Sequence, residues 1–96
     1  MPKGYVIARA NVTNPTAWAE YAAKASEAIK KYGGSPIVRG GKVEAIEGQG
    51  LARNIVVEFA SFEAARTYAH SPEYAAAKKL REGAGTLDLI IVEGVA

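Results

Sequence analysis

The chain has 96 residues, with 12 Lys and Arg against 10 Asp and Glu, one His and no Cys. This length allows one domain with a modest core, covering residues 1–96. The lack of cysteine excludes disulfides, thiolate catalysis and cysteine-ligated metals, and a single His leaves little scope for a transition-metal site. We expect neither a metal nor a cofactor. Basic and acidic side chains are interleaved on the predicted helices, which indicates solvated surfaces and no nucleic-acid partner.

No apolar run is long enough to span a bilayer. The first residues, Met1 to Gly4, lack the apolar core of a signal peptide. We therefore expect no membrane partner and a cytoplasmic location.

The first half of the chain predicts a strand followed by a long helix. Residues 5–12 alternate between two faces, as in a strand. Asn14 and Pro15 then form a helix start, because Asn caps the first turn and Pro there loses no hydrogen bond. A stripe at helical spacing predicts the buried side of this helix: Trp18, Tyr21, Ala22, Ala25, Ile29 and Tyr32. Its alanines predict a close approach of helix to sheet, and Gly33-Gly34 ends the helix.

The second half predicts three more strands and two helical stretches. We expect strands at 36–39, 53–59 and 87–95, with a short hairpin arm at 43–47 after the Gly40-Gly41 turn. Ser61 and Ser71-Pro72 are typical helix starts. The resulting βαββαβ order predicts a ferredoxin-like α+β sandwich with an antiparallel sheet of strand order 4-1-3-2.

One face of this sheet has no cover within the chain. The last strand is also long and apolar, and such an edge promotes aggregation unless another chain covers it. Both features predict a homodimer in which two sheets face each other as a dimeric α/β barrel, with any ligand site between them.

Strand alternation predicts which side chains face that space. Val38 is expected on the helix-facing side, and Arg9, Arg39, Asn54 and Glu58 on the open side. Arg9 and Arg39 should then flank Glu58, a plausible anchor for a small polar ligand because Arg binds carboxylates in a bidentate manner. The alternative is an ion-pair network that only holds the dimer interface.

Two further residues are weaker candidates. His70 titrates near neutrality and could act as a general base, but its place at a helix break favours a surface or capping role. It is also the only imidazole for a haem, and it is poorly placed for one. Tyr21 could point its hydroxyl into a cavity, although a core aromatic with its hydroxyl at the edge explains it better.

Several short segments of the chain, in the order in which they occur, resemble those of a known protein family. They are residues 3–5, 32–34, 39–42, 47–48, 58–59, 71–74 and 92–94. Together they resemble the family called domain of unknown function 1330, over nearly the whole chain. The resemblance implies the dimeric α/β-barrel superfamily, which includes cofactor-free oxygenases, lactone isomerases, haem enzymes and ligand-sensing domains. The chain departs from the family pattern at Val6, Asn14, Trp18 and Ala60, and the family offers no established catalytic residues to carry over.

The sequence thus leaves the function open between two classes. The first is a homodimer that binds a small organic molecule, such as a carboxylate, between its sheets, with metal-free acid–base or oxygenase chemistry as its enzymatic form. The second is a non-catalytic structural or ligand-sensing dimer whose Arg and Glu cluster only holds the interface.

Overall fold

The structure, a computed structural model, describes residues 2–96 and has the predicted order of elements. The strands and helices are β1 (Gly4–Val12), α1 (Pro15–Lys31), β2 (Ser35–Arg39), β3 (Arg53–Phe59), α2 (Phe62–Ala69), α3 (Pro72–Lys79) and β4 (Gly85–Glu93). The four strands form one antiparallel sheet in the order β2-β3-β1-β4. The ferredoxin-like α+β prediction and its strand order are therefore confirmed.

The helices begin where the capping residues predict. Asn14 accepts a hydrogen bond from the Ala17 N–H at 3.2 Å, and Pro15 occupies the first turn of α1. Ser61 and Ser71 cap α2 and α3 in the same way, through the N–H groups of Ala64 and Tyr74. These local hydrogen bonds fix the three helix starts independently of the core.

The predicted hairpin arm at 43–47 is wrong. Residues 40–52 form an irregular connection between β2 and β3, and Ile46 within it is 78% exposed. No apolar surface covers this segment, so it gains too little from burial to hold a regular strand.

The core lies between the sheet and the helices, on one side of the sheet only. Its buried members include Val6, Trp18, Val57, Phe59, Ala65, Tyr68, Tyr74 and Ala77. Trp18 is 2% exposed, which confirms the predicted inner face of α1. The chain extends 38 × 34 × 16 Å, and the short dimension is that of one sheet plus one helix layer. The other sheet face is therefore open.

A β-bulge in β2 reverses the predicted facing of its last residues. Pro36 pairs with Val57, yet Val38 pairs with Val56, so Ile37 is an extra residue without a partner in β3. Residues after it switch faces, because side chains alternate along a strand. Val38 therefore lies on the open face and Arg39 on the helix-facing side, the opposite of the prediction.

Candidate functional site

The structure separates the predicted polar cluster into parts on two faces of the sheet. Arg9 and Asn54 lie opposite each other in the β1–β3 ladder, and Arg9 Nε donates to Asn54 Oδ1 at 3.4 Å. Arg9 also donates to the Gln49 carbonyl oxygen at 3.5 Å, at the end of the irregular connection. These two predicted residues therefore do lie together, on the open face.

Glu58 lies on the same face but away from both arginines. Its carboxylate accepts a hydrogen bond from the Tyr5 hydroxyl at 3.3 Å and lies 3.6 Å from Lys3 Nζ. Tyr5 is its direct partner in the β1–β3 ladder. The predicted arrangement, with Glu58 flanked by Arg9 and Arg39, is therefore not formed.

Arg39 points to the helix layer because of the bulge. Its Nη2 donates to the Ser26 Oγ of α1 at 3.1 Å. The next residue, Gly40, takes a left-handed φ of 68°, and its N–H donates to the Asn54 carbonyl at 2.9 Å. Glycine adopts this conformation without strain, so the chain can turn away directly after Arg39.

The two weaker candidates have different surroundings. His70 is an exposed residue at the C-cap of α2, where its backbone N–H donates to the Arg66 carbonyl. Tyr21 is buried, and its hydroxyl lies 3.0 Å from that of Tyr74. Tyr21 also lines a cleft, whereas His70 does not.

The cleft lies between α1 and the helix-facing side of the sheet and has a volume of about 610 Å³. Helix α1 packs mainly on α3, whereas α2 packs directly on the sheet. Ala8, Ala22, Ala25 and Ser26 line the gap, and side chains this small do not fill it. The predicted close approach of α1 to the sheet is therefore wrong: its alanines leave space.

Three aromatic side chains belong to the buried part of the cleft lining. Trp18, Tyr21 and Tyr68 line it, and the Trp18 and Tyr21 rings meet edge to face at 5.3 Å. Burial raises the pKa of Tyr21 and Tyr68 well above the ordinary tyrosine value. Both hydroxyls therefore stay protonated at neutral pH and act only as neutral hydrogen-bonding groups.

The solvent-exposed part of the cleft lining, which we call the cleft entrance, carries positive charge. Arg39 and Arg53 line it together with Asn11 and Gly40. Among residues 2–96, no carboxylate or imidazole lines the cleft, and neither arginine forms an ion pair. The site thus combines an apolar interior with two guanidinium groups at its entrance.

Within residues 2–96, no group of three His, Asp or Glu side chains is arranged to hold a metal ion. No helix in that range is long and apolar enough to cross a membrane.

The chain is a ferredoxin-like α+β domain with a cleft beneath its first helix. The chain belongs to the family called domain of unknown function 1330 (DUF1330), whose profile matches residues 3–95. The family resemblance predicted from the short segments is therefore confirmed. A search of curated proteins found no match.

Known structures share the fold at low sequence identity. A protein of unknown function from Rhodopseudomonas palustris superposes with a TM-score of 0.78 at 16% identity, covering 99% of this chain and 84% of that one. SnoaB, a cofactor-independent oxygenase from Streptomyces nogalater, gives 0.67 at 10% identity and covers 100% and 96%. An Arabidopsis thaliana protein determined in solution gives 0.68 at 17% identity and covers 99% and 89%.

Sequence reasoning missed the cleft itself. The signal was present as Ala22, Ala25 and Ser26 on the inner side of α1, facing Ala8 of β1. Small residues on both facing surfaces permit either close packing or a gap, and only the docking of α1 on α3 selects the gap.

Proposed function

We propose that this protein is a homodimer in which each protomer binds a small, largely apolar organic molecule in the cleft between α1 and the sheet. The observation that carries the proposal is the cleft, with its buried aromatic end and few polar groups. Ligand pockets typically measure about 300–1,000 Å³ and have mainly apolar linings with a few polar groups. The cleft, at about 610 Å³, lies within that range.

This proposal moves the ligand from the space between two sheets to the space inside one protomer. The sequence-based site depended on Arg39 and Glu58 lying together, and they lie on opposite faces. The alternative, in which the Arg and Glu cluster only holds the interface, loses Arg39 but keeps Arg9 and Glu58, which both lie on the open face.

The lining favours binding over acid–base catalysis. A general base near neutral pH is usually a His or a carboxylate with a suitable pKa. The cleft-lining residues in the described range 2–96 include neither, and burial raises the pKa of Tyr21 and Tyr68. A ligand-binding or ligand-sensing role needs no general base in the cleft, and it therefore fits this lining better than an acid–base enzyme does.

The open sheet face supports the homodimer. Val38, Ile90 and Val92 are 41%, 54% and 40% exposed there, beside Ile7 and Val56. The four strands have nine, five, seven and nine residues and cover roughly 480 Å² in projection. Protruding side chains raise this toward the ~800 Å² per partner that typical stable interfaces bury.

The charges of this face are self-complementary, which favours a second copy over another partner. Arg9 and Lys3 supply positive charge, and Glu58 and Asp88 supply negative charge, all on or beside the same surface. A two-fold interface places the same patch on both sides, so opposite charges within one patch can meet across the axis.

Ligand binding is tested most directly through Trp18, the single tryptophan, which lines the cleft. Titration with decan-1-ol should change its fluorescence in a saturable manner. Ala25→Leu should abolish this change, because the larger side chain projects into the cleft. Ala23→Leu, on the exposed side of the same helix, should retain it. An unchanged titration in Ala25→Leu would place the binding site elsewhere.

An oxygenase is the second candidate. It is supported by the fold shared with SnoaB, a cofactor-independent oxygenase, and by an aromatic-lined cleft suited to an apolar substrate. Incubation with phenolic compounds such as 1-naphthol should then consume dissolved oxygen at a rate proportional to protein, and Ala25→Leu should stop it. A protein that binds these compounds without oxygen uptake would be a binding module only.

A further inference from the structure

The arginines at the cleft entrance have no acidic partner within the described residues. The carboxylates that form ion pairs do so elsewhere: Glu58 with Lys3, Glu73 with Lys31 and Glu27 with Lys24. Arg39 instead donates to the neutral Ser26 hydroxyl. A guanidinium carries five N–H donors, so Arg39 keeps donors for another acceptor.

We propose that the cleft takes an amphipathic organic anion, with its carboxylate held by Arg39 at the entrance and its apolar part against Trp18 and Tyr21. This inference rests on the proposed function and adds the charge and orientation of the ligand. Arg53 lines the same entrance and contributes positive potential to it. No acidic side chain in the described cleft lining opposes an anion.

The geometry at α1 favours a carboxylate over a neutral polar group. Arg39 can present two parallel N–H donors to the two oxygens of a carboxylate, and such charge-assisted pairs are stronger than neutral hydrogen bonds. Ser26 accepts its hydrogen bond from Arg39, so its own O–H remains able to donate to the same anion. An alcohol offers one oxygen and no charge, and so gains little from either arginine.

The orientation follows from the distribution of polarity in the cleft. Among the lining residues, Trp18 and Tyr21 are buried, whereas Arg39 and Arg53 are exposed to solvent. Burying a charge without a partner is costly, whereas an apolar chain gains free energy from the same burial. The carboxylate therefore stays at the entrance and the apolar chain enters first.

The test compares decanoate with decan-1-ol, which share an alkyl chain and differ in the head group. Both are titrated against Trp18 fluorescence in the wild type, in Arg39→Gln, and in Arg66→Gln as a charge-matched control on the exposed surface of α2. Decanoate should bind the wild type roughly three- to fivefold more tightly than decan-1-ol, because its carboxylate pairs with an arginine that remains exposed to solvent. Arg39→Gln should remove that difference, and Arg66→Gln should keep it.

The possible outcomes separate this inference from the function on which it rests. If the two compounds bind the wild type with equal affinity, the proposed preference for an anion is wrong, while the proposed apolar binding site is retained. A preference for decanoate that survives in Arg39→Gln would overturn the role of Arg39. Binding of neither compound would overturn the ligand-binding function itself, and the anion with it.

Discussion

The cleft predicts that Ala25→Leu stabilises the protein, although a larger side chain in a core usually destabilises it. Ala25 is a buried residue that lines the cleft, so the added carbon atoms have space to occupy. Three methylene-sized groups at ~0.8 kcal/mol each would contribute about 2.4 kcal/mol. Lost side-chain entropy of ~0.5–1 kcal/mol and a helix-propensity cost of ~0.2 kcal/mol oppose this. The net stabilisation should be about 1.2–1.7 kcal/mol, a rise in melting temperature of roughly 5–14 °C for a domain of this size.

Ala28→Leu provides the matched control on the same helix. Ala28 is also buried but does not line the cleft, so the same change overpacks the core and should cost ~1–3 kcal/mol. Urea unfolding of both variants, followed by Trp18 fluorescence at one fixed protein concentration, gives the two free energies of unfolding. If Ala25→Leu is destabilised as much as Ala28→Leu, the space beneath α1 does not exist in solution and the proposed site is refuted.

Three further predictions concern the core, the helix layer and the open face. Trp18→Ala should lose about 3–5 kcal/mol of unfolding free energy in urea, since Trp18 is 2% exposed; a loss below ~1 kcal/mol would contradict its packing. Lys31 and Tyr32 lower the pKa of Glu73 from 4.5 to about 2, so the stability this carboxylate adds is present above pH 4.5 and lost as pH falls toward 2. Measured at several pH values, the free energy of unfolding of Glu73→Gln should be lower than that of the wild type at neutral pH and about equal to it near pH 2. A difference that does not change with pH would contradict this dependence on the Glu73 pKa. Light scattering of the wild type at micromolar concentration should give twice the chain mass of 10.1 kDa. Ile90→Glu, on the open face, should reduce the measured mass to that of one chain, whereas Leu80→Glu, on the helix layer, should leave it unchanged. A monomeric wild type would refute the dimer.

The order of elements and the helix starts could be predicted because their causes are local. Asn14, Ser61 and Ser71 each cap a helix through a backbone N–H three residues along the chain. The strand order then follows from the βαββαβ pattern, since few arrangements of these elements bury one face of a sheet. None of these features depends on a distant side chain.

The site could not be predicted because it depends on two non-local facts. One is the docking of α1 on α3, which leaves the cleft open beneath Ala22 and Ala25. The other is the bulge at Ile37. The residues at 35–39 do not predict it, because Pro36 is as compatible with a regular edge strand as with a bulged one. A strict alternation applied across a bulge assigns every later side chain of that strand to the wrong face.

The bulge decides what each face of the sheet offers. If Ile37 instead paired regularly with Val56, Arg39 would lie opposite Asn54 on the open face, adding charge to the surface proposed to pair with its own copy, and Val38 would face the helices. With the bulge, Val38 adds apolar surface to the open face and Arg39 brings a guanidinium to Ser26 at the cleft entrance. The bulge thus moves charge from where a dimer would need apolar surface to where a ligand would need charge. The proposed interface and the proposed ligand site therefore depend on the same backbone irregularity, although they lie on opposite sides of the sheet.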